Sequence, residues 1–164
     1  MLNIIKSRRS IRKFSPKEVE EEKLKEIIEA GIWAPSGLNN QPWRVAIIKD
    51  KEIKKSLSLF TRYGRIIDSS SVCIVVFLDN SASYNRVKDI QAVGAFLQNM
   101  LLAAHQLSLG SVWLGEILNN RDKVEELLNV PEGYELMAVV ALGYPAESPV
   151  SNRKPLKEII FLRK

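Results

Sequence analysis

Val72-Cys-Ile-Val-Val-Phe-Leu78 runs for seven residues without a charged, amide or hydroxyl side chain. A strand of that composition is covered on both faces, so the chain must supply a layer on either side of it. Leu136-Met-Ala-Val-Val-Ala-Leu142 repeats the pattern and reads as the last core strand. Between the two, from about Val87 to Leu109, Ile90, Val93, Phe96, Leu97, Met100, Leu101, Ala104 and Leu107 fall on one broad helical stripe. This longest helix is expected to be central and buried, with Gly110 as the C′ glycine that stops it. Gly94, Ala95, Ala103 and Ala104 are small and leave room for another helix, or the helix's own twin, to approach.

Shorter elements surround this framework. Asn3 to Arg9 predicts a short opening helix. Pro16 and the acidic Glu18, Glu20, Glu21 and Glu22 lead into a second, with Leu24, Ile27, Ile28 and Ile32 at helical spacing and negative charge at its N-terminus. That helix ends by Pro35. Trp43 to Ile48 predicts a strand, Lys51 to Phe60 an amphipathic helix, Ser111 to Leu114 a short strand, and Arg121 to Leu128 a helix ahead of Pro131. Gly143-Tyr-Pro145 breaks the last strand. The tail, Pro155 to Leu162, is apolar enough to pack as an edge strand or on a partner subunit. No repeat, linker or low-complexity tract divides the chain, so residues 1–164 are expected to form one mixed α+β domain.

Composition narrows the chemistry. Hydrophobic residues at 46% and charged residues at 26% are globular values. Cys73 is the single cysteine and His105 the single histidine. An internal disulfide is excluded, and zinc sites and a Ser-His-Asp triad lose their ordinary ligands and base. Cys73 is expected to be a buried, inert strand residue, His105 a helix-terminal or interface residue, and Trp33 and Trp43 to pack the loop they flank. No apolar run approaches the roughly 18 residues of a membrane span and the N-terminus has no signal-like apolar core, so a soluble, cytoplasmic protein without a membrane partner is expected. Lys plus Arg exceed Asp plus Glu by 24 to 19, but acids are interleaved with bases, which argues against a nucleic-acid surface. Only two basic clusters stand out: Lys6, Arg8, Arg9, Arg12 and Lys13, and Arg153, Lys154, Lys157, Arg163 and Lys164. If the two ends meet in space, they make one anion site.

Four groups carry chemical potential. Arg8-Arg-Ser-Ile-Arg12 crowds three guanidinium forks and a hydroxyl into five positions, a composition suited to phosphate. Ala34-Pro-Ser-Gly-Leu-Asn-Asn-Gln-Pro-Trp43 is a loop stiffened by two prolines in which Ser36, Asn39, Asn40 and Gln41 offer paired donors and acceptors for the edge of a heterocycle. Gly110-Ser-Val-Trp-Leu-Gly-Glu116 holds a second glycine, Gly115, that lets backbone N–H groups approach a planar ligand; a simple bulge is the plainer alternative. Arg153 and Lys154 could add phosphate contacts.

Taken in order, Arg8-Arg-Ser10, Ala34-Pro-Ser36 with Asn39, Gln41, Pro42 and Trp43, the helix containing Gly94 to Ala104, the Gly110-to-Gly115 stretch, Gly143-Tyr-Pro145 and Arg153-Lys-Pro155 resemble the FMN-dependent nitroreductase family across nearly the whole chain. The resemblance implies an α+β sandwich, its central sheet mostly antiparallel and flanked by helices, forming an intertwined homodimer with two FMN sites at the interface. Arg8, Arg9, Ser10 and Arg12 would then serve the FMN phosphate, ribityl chain and pyrimidine edge, joined by Arg153. Pro35, Ser36, Asn39 and Gln41 of the other subunit would lie along the flavin. Trp113, Leu114 and Gly115 would pass beside the ring, with the Gly115 N–H near N5, and Arg65 would approach the N1/O2 side.

The same resemblance implies an NADH- or NADPH-dependent oxidoreductase reducing a small electron acceptor such as a nitroaromatic or quinone by a ping-pong mechanism, with no catalytic side chain and no metal. The chain departs from fuller members in the connection after Leu78, where only about Asp79 to Val87 remain. That shortness leaves open a second reading, an FMN carrier or sensor without its own turnover.

Overall fold

The computed structural model describes residues 2–164. In chain order the elements are α1 (Leu2–Ser7), α2 (Glu21–Ile32), β1 (Trp43–Ile48), α3 (Lys51–Ser58), α4 (Gly64–Ser69), β2 (Val72–Asp79), α5 (Arg86–Gln106), β3 (Gly110–Leu114), α6 (Arg121–Leu127), β4 (Tyr134–Gly143) and α7 (Leu156–Ile159). Single 3₁₀ turns cover Gly37–Asn39 and Glu116–Asn120.

The four strands form one antiparallel sheet in the order β1-β2-β4-β3. Both apolar runs therefore become its central strands. Alternate side chains of β2 serve opposite layers: Val72, Ile74, Val76 and Leu78 join α2 and α5, while Cys73, Val75 and Phe77 join the side of α3, α4 and α6. Helices on both faces explain why antiparallel strands here lack the polar alternation of a sheet with one wet face. A register shift between Val76 and Phe77 leaves Met137 of β4 as the extra residue, so Met137 and Ala138 both pack toward α5.

Beneath the sheet, α5 lies at the heart of the first layer, with Phe96, Leu97 and Met100 buried. The Phe96 ring stacks on Trp43, centroids 5.1 Å apart and planes 20° apart. Helix α5 ends three residues before the expected Leu109. Ser108, at φ 61°, takes the left-handed position, and the Leu109 and Ser108 N–H groups donate to Ala104 O and His105 O. That pattern satisfies the last carbonyls without a glycine. Gly110 serves a different purpose as the first residue of β3: a Cβ there would stand 2.8 Å from the Ile11 side chain.

Residues 10–15 run along the β3 edge and past the end of β4. Ser10 bridges Ser111, Phe14 bridges Pro145, Ile11 N–H donates to Ser111 O at 3.0 Å, and Ala146 N–H donates to Lys13 O at 2.9 Å. The N-terminal segment and the start of the C-terminal segment are thus tied to one corner of the sheet.

Other parts of the structure also differ from the sequence expectations. Helix α4 has no counterpart in the sequence reading. Trp33, just past the C-terminus of α2, is 85% exposed; of the two tryptophans flanking the loop, Trp43 is the buried one. The tail is not an edge strand: it forms the short α7, and residues 151–164 are exposed throughout, Phe161 to 98%, the surface that packing on a partner subunit would use. Cys73 is buried as expected, and desolvation pushes its thiol up to about 11.

Candidate functional site

Arg8, Arg9, Ser10 and Arg12 leave α1 and follow the β3 edge, where the Ser10 bridge fixes them beside Ser111. Arg9 spends one guanidinium nitrogen, Nη1, on the Lys6 and Arg8 carbonyls, while its Nε is buried without a partner. Burial, followed by the charges of Arg153 and Arg9, lowers the Arg8 pKa. Arg153, from the far end of the chain, therefore stands close enough to Arg8 to repel it. Among the described residues, no carboxylate forms an ion pair with Arg8, Arg9, Arg12 or Arg153. Glu147 reaches only the Arg12 backbone N–H, at 2.6 Å. Arg8 and Arg9 are thus partly buried positive charges without a counter-charge, a composition that a bound anion would neutralise. Of the C-terminal basic cluster, Arg153 is the residue brought near the N-terminal arginines.

Strand β3 continues from this edge. Trp113 is 43% exposed, and its indole lies 3.9 Å from where a Cβ on Gly94 of α5 would stand. Leu114 turns the other way and is buried with Leu136 and Val139, so only its backbone faces the same side as Trp113. Gly115 closes the strand and leads into the 3₁₀ turn instead of forming a bulge, and its N–H has no partner among the described residues. Glu116 is held by Thr61 Oγ1 at 2.6 Å and Arg62 Nε at 3.1 Å. That anchor brings the start of α4 toward Gly115; Arg65, on α4, is exposed.

The amide loop is built separately. Leu38, Asn39 and Gln41 all take positive φ, at 54°, 55° and 47°. Pro35, Leu38, Asn39 and Gln41 are exposed, Leu38 to 86%, and Ser36 is half-buried. Within the loop, Ser36 Oγ accepts from Gln41 N–H at 3.0 Å.

The structure unites the arginines with β3 but keeps the amide loop apart from them. Asn40 of the loop contacts Asp89 in the first turn of α5, whereas Ser7, beside the arginines, contacts His105 in its last. Asp89 and His105 are 16 residues apart on α5, which is about 24 Å along the helix axis.

Sequence reasoning missed the groups that hold the loop in place. Asp89 is fully buried, and its carboxylate accepts from Ser83 Oγ, Tyr84 N–H, Asn85 N–H and Asn40 Nδ2. Asp79 pairs with Arg44 at 2.6 Å and accepts from Ser81. Burial raises the Asp89 carboxyl, but hydrogen bonds from Ser83, Asn40, Asn85 and Tyr84 outweigh it and hold the pKa below its ordinary value. Glu135 is lowered by its hydrogen bond from Arg86, against burial and with Arg121 adding to the effect. Such groups bind protons more weakly folded than unfolded, so their stabilisation is complete above the ordinary carboxylate range and is lost as pH falls through the folded values. The urea midpoint is accordingly expected to hold near neutral pH and to drop below about pH 4. Asp89→Asn should lower it at neutral pH and flatten the acid slope.

The Nitroreductase family model matches residues 5–64 and 61–144. The chain belongs to the nitroreductase family. Among relatives of this nitroreductase-family chain is a candidate NADH dehydrogenase/NAD(P)H nitroreductase of Methanothermobacter thermautotrophicus, 36% identical over 152 residues, covering 91% of this chain and 79% of the relative. The fold is the nitroreductase fold. A candidate nitroreductase of Desulfovibrio desulfuricans, crystallised in complex with FMN, superposes with a TM-score of 0.96 at 48% identity, over 99% of this chain and 96% of that one. The NADPH:FMN oxidoreductase of Vibrio harveyi, complexed with NAD+, superposes at 0.91 with 26% identity, over 99% of this nitroreductase-family chain and 76% of its neighbour.

Proposed function

We propose that the chain is an FMN-dependent oxidoreductase that takes reducing equivalents from NADH or NADPH and passes them to a small electrophile. The observation that carries this reading is the counter-charge-free cluster of Arg8, Arg9, Arg12 and Arg153, with its buried and unpartnered Arg9 Nε. These residues fit a phosphate monoester, whose oxygens accept the guanidinium forks in charge-assisted bonds. Ser10 adds a hydroxyl, and Trp113, the Leu114 backbone and the free Gly115 N–H offer a planar surface with a donor at its edge. Arg65 sits on α4, which follows the Thr61–Arg62 anchor on Glu116, and its charge would favour an anionic ring. FMN held by these residues would supply the two-electron redox chemistry that links a nicotinamide donor to a nitroaromatic, quinone or similar acceptor.

Pro35, Ser36, Asn39 and Gln41 complete the site in this reading, but from a second copy of the chain. One protomer holds the two halves at opposite ends of α5, so a single ligand touching both needs two protomers side by side. Unpartnered surface supports the homodimer: a shallow apolar groove of about 350 Å³ lined by Ile4, Ile5, Ala30 and Leu102, and the exposed tail with Val150, Ile159 and Phe161. The purified protein is expected to show a flavin absorption band that bleaches on anaerobic addition of NADH or NADPH and returns with a quinone. Bleaching that occurs with neither nucleotide, in protein that holds FMN, would favour the carrier reading.

A further inference from the structure

We infer that Asp89 is a positioning residue for the amide loop, acting through Asn40, so that one buried carboxylate governs how tightly the chain holds FMN; the inference rests on the function proposed above. The two oxygens of Asp89 divide their work. Oδ2 accepts from Ser83 Oγ at 2.7 Å and from the Tyr84 and Asn85 N–H groups at 3.0 Å each, which fastens the short connection between β2 and α5. Oδ1 accepts from Asn40 Nδ2 at 2.8 Å and reaches across to the loop. Capping α5 does not require Asp89, because Asn85 Oδ1 already accepts from Lys88 N–H.

Asn40 is held in one orientation. Its Nδ2 also donates to Ala82 O at 3.0 Å, so both neighbours of that nitrogen are acceptors, and the amide cannot flip without losing both bonds. As a result Asn40 Oδ1 is buried with no partner. An unmatched buried acceptor is destabilising, and it persists here because Nδ2 is needed where it stands. The residues on either side are strained as well, with Leu38, Asn39 and Gln41 in the left-handed region. Backbone of this kind survives where surrounding contacts over-determine it. Hydrogen bonds within the loop, such as Asn40 N–H to Gly37 O, shape the turn. Asn40 ties that shape to α5, and Tyr84, fixed by Asp89 through its N–H, lies so close to Gly37 that a Cβ there would stand 2.1 Å from the tyrosine oxygen. The short connection is thus a rigid brace for the loop.

Asn40→Ala and Ser83→Ala test this as a pair: each removes one side-chain donor from the same carboxylate, but Ser83→Ala keeps the Tyr84 and Asn85 N–H bonds that hold the brace, whereas Asn40→Ala cuts the tie to the loop. Thermal stability without FMN, FMN affinity and the visible circular dichroism of the bound flavin are measured for both. The expected result is a loss of FMN affinity of about tenfold or more, the size of one lost positioning hydrogen bond, and an altered flavin dichroism for Asn40→Ala. Ser83→Ala should lose comparable stability while keeping near wild-type affinity and spectrum. If Asn40→Ala does not fold, Asn40→Ser takes its place. Affinity that follows stability equally in both variants, or that changes in neither, overturns the inference and leaves the proposed function intact. Wild-type protein that binds no FMN overturns both.

Discussion

Replacing Arg8 with alanine is expected to weaken FMN binding about 10- to 150-fold, the equivalent of losing one charge-assisted interaction of about 1.5–3 kcal/mol. The same variant should be no less stable than wild type in the absence of FMN. Arg8 is half-buried beside Arg9 and Arg153, and its own pKa is lowered by that burial and by those charges. Removing it relieves repulsion within the free protein while deleting attraction to a bound phosphate. Opposite effects on binding and on stability are the mark of a ligand site, whereas a structural arginine would lose both together. Arg8→Lys should recover only part of the affinity, since an ammonium is a point charge without the planar fork. Isothermal titration with FMN and thermal unfolding without it give the two readouts. A variant that is destabilised without FMN and binds FMN normally would reverse the assignment.

Phe96→Ala is expected to lose about 3–5 kcal/mol of stability, the range for deleting a fully buried aromatic side chain that its neighbours cannot replace. Phe96 has no exposed surface, stacks on Trp43 and packs against Gly31 of α2, where a Cβ would approach its ring to 2.7 Å. Three elements, α2, α5 and β1, therefore lose their common contact. In a chain of 164 residues the unfolding temperature should fall by roughly 10–15 °C. Trp43 directly follows Pro42 and the amide loop, so FMN affinity should fall as well. Urea unfolding quantifies the stability loss; a change below about 1 kcal/mol would mean that the core relaxes around the cavity.

Much of this was legible in the residues because the features that specify it are local. Trp43 to Ile48 is β-rich and bounded by Pro42 and Asp50, and the strand has those limits. The two apolar runs announced strands covered on both faces, and the sheet places them at its centre. The arginine cluster was visible as composition; the bridges from Ser10 to Ser111 and from Phe14 to Pro145 tie the N-terminal segment to β3 and to the start of the C-terminal segment, and Arg153 acts on Arg8. What escaped depends on tertiary partners. Gly110 has the signature of a helix stop, yet its missing Cβ makes room for Ile11, and Ser108 supplies the left-handed turn. Helix α4 has only six residues, begins with glycine and ends with serine, so it offers no periodicity to detect. Asp89 and Asn40 are 49 positions apart, and nothing in either neighbourhood announces the bond between them. Trp33 has the hydrophobicity of a core residue but stands past the end of α2, facing solvent.

The central claim is that arginines from both ends of the chain hold the phosphate of a flavin. Comparing FMN with riboflavin, which has the same ring and ribityl chain but no phosphate, isolates that claim. Equilibrium titrations of the purified protein with each should show FMN binding at least about 100-fold more tightly, as expected for two or more charge-assisted contacts. That preference should shrink with added salt and in Arg8→Ala. Riboflavin binding as tightly as FMN would contradict the account.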